Sequence, residues 1–430
     1  MAPATHTPPA LWKTVLIGIL CFGVYQSNRL VLEEIDAIPT AYVAWSLVRH
    51  GDLSLERYPE IHRFNRVVLS SPAGRASKYP PGIGIAATPF LAPIAWYGAP
   101  LPTYEEMRWL GKRTGSAFTA AATALFYWLA VQVAPRGALP ATLVVGLGTT
   151  LMSTAAQAGW AHGPATFWIL LGTCFLWREP TSLRRGTLLA LASGFTFGMA
   201  VLTRAMTGLM LGAAGLSALV DRRWRTAVLL GVGAALPLFA LWAYNAHFFD
   251  APATGGYALE KYSRGNWSTP THWGLAGLLI SPSRGLFVFS PALLLGLAGL
   301  GQARRWFLPS GPNRERALAA LLLGSVLQTL LCATWIGWHG GWTYGPRLLT
   351  ETIPAWGLLM AVGYERWATT APRKIIAVLL VVLSISVNWV GITERSGYQA
   401  WHRRVKARET SYWAIRDNVI AAQIHGAPPP

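Results

Sequence analysis

Apolar runs of about 20 residues recur along almost the whole chain, from "LWKTVLIGILCFGVY" near the N-terminus to "IIAVLLVVLSISVNWV" ending at residue 390. A helix of that length covers roughly 30 Å of hydrocarbon. Inside lipid there is no water to bond the backbone, so a spanning segment must satisfy its own N–H and C=O groups, as a helix does. The feature predicts an all-α, polytopic transmembrane helical bundle. Only 13% of the 430 residues are charged, against about 25% in an ordinary soluble chain. Many of the 21 tryptophans lie near the ends of apolar runs, where an amphipathic ring suits the headgroup zone. Cys21, Cys174 and Cys332 all fall inside apolar runs and read as small core hydrophobes, with no disulfide or metal spacing.

The distribution of Lys and Arg orients the bundle. Short loops hold Arg178, Arg184 and Arg185; then Arg222, Arg223 and Arg225; then Arg304, Arg305, Arg314 and Arg316; then Arg366, Arg373 and Lys374. These are the expected cytoplasmic loops, and the loops between them carry less positive charge. The formal charge of +18 is thereby accounted for, and no nucleic-acid motif accompanies it. About 11 spans are expected, near residues 13–32, 107–134, 138–158, 164–178, 186–203, 205–220, 226–247, 280–301, 317–337, 350–364 and 374–392. The first reads as a retained signal-anchor. Residues 33–106 then form a large first outer loop. Its stretches 40–50 and 82–98 are expected as membrane-hugging helices, the second because Pro89 and Pro93 interrupt it. Residues 1–392 form one transmembrane module, and 393–430 a polar tail on the outer face.

On that face the chemistry-bearing residues converge. The first outer loop opens with Glu33, Glu34 and Asp36 and closes with Arg75, Lys78 and Tyr79. Later outer turns add His162, Arg204, Tyr257, Arg264, Arg284, His339, Trp342, Tyr344 and Arg347. A carboxylate can take a proton from an attacking hydroxyl. Arginine grips phosphate through a planar fork, and lysine supplies a point charge. One base among several cations, open to lipid and water, suits a phosphorylated lipid carrying a group to be transferred. Plainer readings stand beside this one. Asp36 can cap the helix that Pro39 opens, Lys78 and Arg75 can snorkel, Arg204 can mark a helix end, and His162 and His339 can be hydrogen-bonded boundary residues. "NWS" at Asn266 matches a glycosylation sequon, which a bacterial source would make incidental.

Four stretches in order, "EEIDA", "SKYPPGIG", "SPSRGLFVFSP" and "GGWTYGPRLL", cover residues 33–351. With this topology the chain resembles the GT-C membrane glycosyltransferases, in particular bacterial members related to protein O-mannosyltransferases and lipid A aminoarabinose transferases. The resemblance implies a polyprenyl-phosphate sugar donor, used at the non-cytoplasmic face of the cytoplasmic membrane, and a glycan, lipid or protein acceptor. It implies that a first-loop carboxylate is the base, Asp36 with Glu33 and Glu34 as contenders. Lys78 and Arg347 match donor-phosphate positions, and Arg284, Arg204 and Arg75 are further candidates. Tyr79, His162, Tyr257, Arg264, His339, Trp342 and Tyr344 are expected substrate contacts. Many relatives carry an Asp-Glu or Asp-x-Asp pair where this chain has Glu33-Glu34-Ile35-Asp36. A Glu-x-Asp pair with a donor phosphate could hold Mg2+ or Mn2+, so no cofactor is certain. The implied activity is inverting transfer of a hexose or pentose. A lipid or solute transporter without chemistry, and a ligase or polymerase moving a lipid-linked glycan, are the alternatives.

Overall fold

The computed structural model describes residues 11–32, 34–97, 100–259, 266–308, 311–393 and 396–426. Glu33 and Arg264 lie outside them. The first helix, α1 (Leu11–Gln26), stops short of residue 32. Beyond it Arg29 takes a left-handed backbone (φ 51°), and the chain is pinned to the bundle by side chains. Asn28 Nδ2 donates to Gln157 Oε1 at 2.8 Å and to the Ile392 carbonyl at 3.0 Å, while Asn28 Oδ1 accepts from Lys112.

In the first loop, Pro39 opens α2 (Pro39–His50) and Gly51 closes it at φ 72°. The expectation of a surface-lying helix does not hold for α2, because every residue from Pro39 to Ser46 is buried. It packs against α3 (Gly82–Trp96) and α4 (Tyr104–Val133). A short antiparallel hairpin, β1 (Val68–Ser71) and β2 (Gly74–Ser77), pairs Val68 with Ser77. The sequence reading did not anticipate it, since strands of four residues give little periodicity. The hairpin delivers Lys78 and Tyr79, and the Tyr244 hydroxyl donates to the Ser77 carbonyl at 2.6 Å to hold its end.

α4 begins with a capping box between Thr103 and Glu106. There follow α5 (Pro135–Leu147), which leads into a π-helical turn at Leu151–Ala155, α6 (His162–Trp177), α7 (Leu183–Thr203), α8 (Gly208–Val220) and α9 (Trp224–Phe249). The single span expected over 280–301 is instead broken. α10 (Thr271–Ile280) ends before Pro282, a four-residue α11 (Leu286–Phe289) follows, and Pro291 opens a 3-10 stretch to Gly299 that runs into α12 (Leu300–Ala303). Each proline removes a backbone donor and clashes with the preceding turn. The remaining helices are α13 (Asn313–Thr334), α14 (Ile353–Trp367), α15 (Ala371–Val390), α16 (Ser396–Lys406) and α17 (Val419–His425).

Among the described residues, six helices are long and apolar enough to cross a bilayer, and several shorter apolar helices pack with them. Val228, Val232, Leu236 and Phe239 of α9, and Ile375, Val378, Leu379, Val382 and Leu383 of α15, are exposed at helical spacing. In water such stripes would be association faces; on a multi-pass membrane protein they are lipid contacts. Inside, helices approach at glycine. A Cβ at Gly137 would lie 2.0 Å from the Ala361 carbonyl oxygen, and one at Gly194 would lie 2.1 Å from that of Leu230. Backbones meet this closely only where the side chain is absent.

Candidate active site

The turn between α13 and α14 shows how sequence builds the site. Gly340, Gly341 and Gly345 adopt φ of 76°, 72° and 84°, left-handed values costly for any residue with a Cβ. They let "GGWTYGPR" double back, so that Arg347 emerges toward the first loop. Opposite, Gly82 of the "YPPG" turn lies against the end of α7, where a Cβ would sit 2.5 Å from the Leu202 backbone. That contact seats Tyr79 and Lys78 beside the segment carrying Arg204.

Asp36 is the meeting point. Its Oδ1 accepts from the Tyr79 hydroxyl at 2.8 Å, and its Oδ2 accepts from Arg347 Nη1 at 2.9 Å. The Arg347 guanidinium lies 5.0 Å from the centre of the Trp160 ring. Its Nε is buried and has no hydrogen-bond partner among the described residues. Lys78 Nζ sits 5.5 Å from the Tyr79 ring and 4.8 Å from the Tyr257 ring. Burial pushes the Asp36 carboxyl up. The Arg347 charge, the hydrogen bonds from Tyr79 and Arg347, and the Lys78 charge outweigh it and hold the group below the usual carboxylate range. Burial and the neighbouring Asp36 charge push the Tyr79 phenol well above its ordinary value, so it stays a donor.

Behind this pair lies a second cluster. Glu351 is fully buried. Its Oε1 accepts from His162 Nδ1 at 2.7 Å and is ion-paired with Arg204 Nε at 3.2 Å, and its Oε2 accepts from Gln328 at 2.9 Å. His162 and Arg204, both expected as ligand contacts, are thus engaged by a carboxylate that the sequence reading passed over. Glu351 lies two residues beyond the "GGWTYGPRLL" stretch, at the start of a predicted span, and its partner His162 is far off in sequence. A charged residue within an apolar run was the signal that could have found it.

Arg284, expected at the donor phosphate, is fully buried and turned to the protein. Its guanidinium donates to the carbonyls of His339 (2.6 Å), Ser283 (2.7 Å) and Gly341 (3.1 Å), and lies 2.8 Å from His402 Nε2. It therefore fixes the Gly340–Gly341 bend and joins it to the C-terminal segment. Arg75 sits in the hairpin against Glu56, 4.0 Å away. Tyr344 donates to the Val387 carbonyl. Trp342 stacks on His402 and His339 on Tyr412, at 5.7 and 4.4 Å. Glu34 reaches Gln399 of α16 at 3.5 Å. The tail thus folds back over the turn with Trp401 buried, and Arg404–Asp417 contacts brace the tail internally. No three of His, Cys, Asp or Glu come together as a metal set among the described residues.

No protein-family model matches the chain, and no curated protein sequence matches it. Solved structures do. ArnT from Cupriavidus metallidurans, bound to undecaprenyl phosphate, superposes with a TM-score of 0.54 at 14% identity, covering 96% of this chain and 75% of that one. The archaeal oligosaccharyltransferase AglB from Archaeoglobus fulgidus, in complex with an inhibitory peptide and a dolichol-phosphate, gives 0.57 at 12% identity over 93% of this chain. This chain shares the fold of both proteins. It spans 58% of the oligosaccharyltransferase's length.

Within this fold the tail contact carries a pH dependence. Burial and Arg284 press His339 down to about 3 and His402 to about 2, so both are neutral when docked. An undocked histidine titrates near 6.5. Docking is therefore at full strength above pH 6.5 and weakens as pH falls below it, by about 1.4 kcal/mol per pH unit for each histidine that must stay neutral. Trypsin cleavage of the basic segment from Arg403 to Arg408 should rise as pH drops from 7 to 5.5, after correction for trypsin's own pH profile. A flat corrected rate would contradict the linkage.

Proposed function

We propose that the chain is a membrane glycosyltransferase that moves a sugar from a polyprenyl-phosphate donor to an acceptor hydroxyl at the outer face of the cytoplasmic membrane. The observation that carries the reading is Asp36 held by Arg347, whose Nε is buried without a hydrogen-bond partner among the described residues, within reach of the Lys78 charge. An orphaned buried guanidinium donor is costly unless a ligand completes it. A phosphate oxygen does so through a charge-assisted bond. The GT-C relatives' undecaprenyl and dolichol phosphates are ligands of that kind.

In the proposed reaction the acceptor oxygen attacks the anomeric carbon directly, inverting it. The bond from that carbon to the donor phosphate oxygen breaks, and polyprenyl phosphate leaves with the electron pair. The acceptor proton passes to Asp36. Lys78, Arg347 and Arg204 stabilise the charge on the departing phosphate. Asp36 is a weak base while Arg347 is bonded to it. Transfer of that arginine to the phosphate raises the basicity of Asp36 when the donor is seated. Tyr79 stays protonated and orients the carboxylate, and Arg284 positions the turn. Residues 1–392 form the catalytic module, with the tail as its cover. A divalent ion at Glu34 and Asp36 would have to displace the Tyr79 and Arg347 contacts. The arginine-rich loops at the far ends of α6, α7 and α13 support the assigned sidedness.

The test is incubation of the purified chain with a panel of polyprenyl-phosphate hexoses and pentoses and with membrane extract as acceptor, followed by mass spectrometry. Release of free polyprenyl phosphate with a mass gain on an acceptor is expected. Donor bound but returned intact across the whole panel would favour a transporter instead.

A further inference from the structure

α7, α9 and α13 all begin at the end of the bundle remote from Asp36. Their other ends lead to Arg204, to Tyr244 on the hairpin, and to Gln328 beside Glu351. At 1.5 Å per residue the 21-residue α7 alone separates the two ends by about 30 Å. Between the three helix starts lies a cavity of about 400 Å³. Arg178, Arg223, Arg225 and Arg316 line its mouth with one carboxylate, Asp221, an excess of three positive charges. The helix starts add to it, since each N-terminus carries roughly half a positive charge. α9 has no side-chain cap there.

The inner half of the cavity is different. Leu189, Ala190, Ala214, Leu229, Ala317 and Ala320 line it. Leu183 on the rim is 74% exposed, so the opening borders the lipid-facing surface. Ser217 Oγ, on the wall, is buried without a hydrogen-bond partner among the described residues. Three of the arginines are bonded to protein. Arg316 is ion-paired with Asp221 at 2.5 Å, Arg223 donates to Asn313 and to the Gly311 carbonyl, and Arg225 donates to Thr187 at 2.7 Å. Arg178 lies over the Trp128 ring, and Arg178 and Arg225 are both exposed at the rim.

We propose that this cavity binds the headgroup of an anionic phospholipid of the adjoining leaflet, phosphate at the arginine mouth and the start of an acyl chain against the apolar floor. A free phosphate would need only the first half; the second half and the exposed Leu183 select the lipid. The site is separate from the donor site in place and in chemistry, for its one carboxylate, Asp221, is ion-paired with Arg316 and no tyrosine among the described residues lines it. A headgroup there ties α7, α9 and α13 together at their starts, and so steadies the ends that carry Arg204 and Gln328.

The test uses the full-length chain purified in a zwitterionic detergent and examined by native mass spectrometry. Probes are phosphatidylglycerol, phosphatidylcholine and inorganic phosphate. Expected is retention of phosphatidylglycerol over phosphatidylcholine, with no displacement by millimolar inorganic phosphate. Each arginine near an anionic lipid is worth roughly fivefold in binding, so Arg178→Ala/Arg225→Ala should weaken phosphatidylglycerol about 25-fold. Arg304→Ala/Arg305→Ala, basic but outside the lining, should not. Ala190→Phe fills the floor without altering charge and should also release the lipid. Displacement by inorganic phosphate would overturn the lipid in favour of a free anion. Wild-type retention in both the double-arginine and the Ala190→Phe proteins would overturn the site altogether.

Discussion

Asp36→Asn is expected to cut turnover by about 10²–10⁴-fold, the range for removal of a general base, while donor affinity changes little. Asparagine preserves the shape and can still accept from Tyr79, which now donates at 2.8 Å. What it cannot do is accept the acceptor's proton. The loss should therefore fall on kcat, because proton transfer contributes only in the transition state. Turnover within a few-fold of wild type would remove Asp36 from the mechanism and direct attention to Glu34. The pH profile provides a second readout. Arg347 is the largest influence holding the Asp36 carboxyl down. Removing that charge raises the carboxyl's pKa, so the acid limb of kcat/KM should move to higher pH in Arg347→Ala and stay near wild type in Arg347→Lys. Lysine should nonetheless lose donor affinity, since its point charge lacks the planar fork that matches a phosphate.

How much of this was legible in the sequence depends on range. Span-length apolar runs gave the helices, because a helix satisfies its own backbone locally and its signal is periodic. Glycine and proline marked the turns around Arg347 and Lys78 for the same local reason. The break at Pro282 was equally local, yet the apolar residues around it read as one span; hydropathy outweighed the proline. The burial of α2 was not legible, since its sequence suits a membrane surface as well as a protein interior. Asp36 and Arg347, 311 residues apart, were brought to one face only by counting loop charges. That count gives a side and no distance. Arg284 was misjudged for a related reason. An arginine in a Gly/Pro turn looks the same whether its donors face a phosphate or three carbonyls of its own chain. Only the folded turn distinguishes the two.

Glu351 is where the largest loss of stability is expected. It is fully buried and engages His162, Arg204 and Gln328. Glu351→Ala leaves the Arg204 charge buried without its counter-ion, which costs about 3–5 kcal/mol in comparable sites. The transition temperature in detergent should fall steeply, and expression with it. Glu351→Gln should lie between, because an amide can accept from His162 but carries no charge for Arg204, and its own N–H groups oppose those of Gln328. The informative variant is the double one, Arg204→Met/Glu351→Leu. Replacing a buried ion pair by apolar groups of similar size is often neutral for stability, so the double protein should recover much of what Glu351→Ala loses. If it also recovers turnover, the cluster is scaffold only. Recovery of stability with turnover still lost is the expected result, because the reaction needs the Arg204 charge near the departing phosphate, and packing cannot replace a charge.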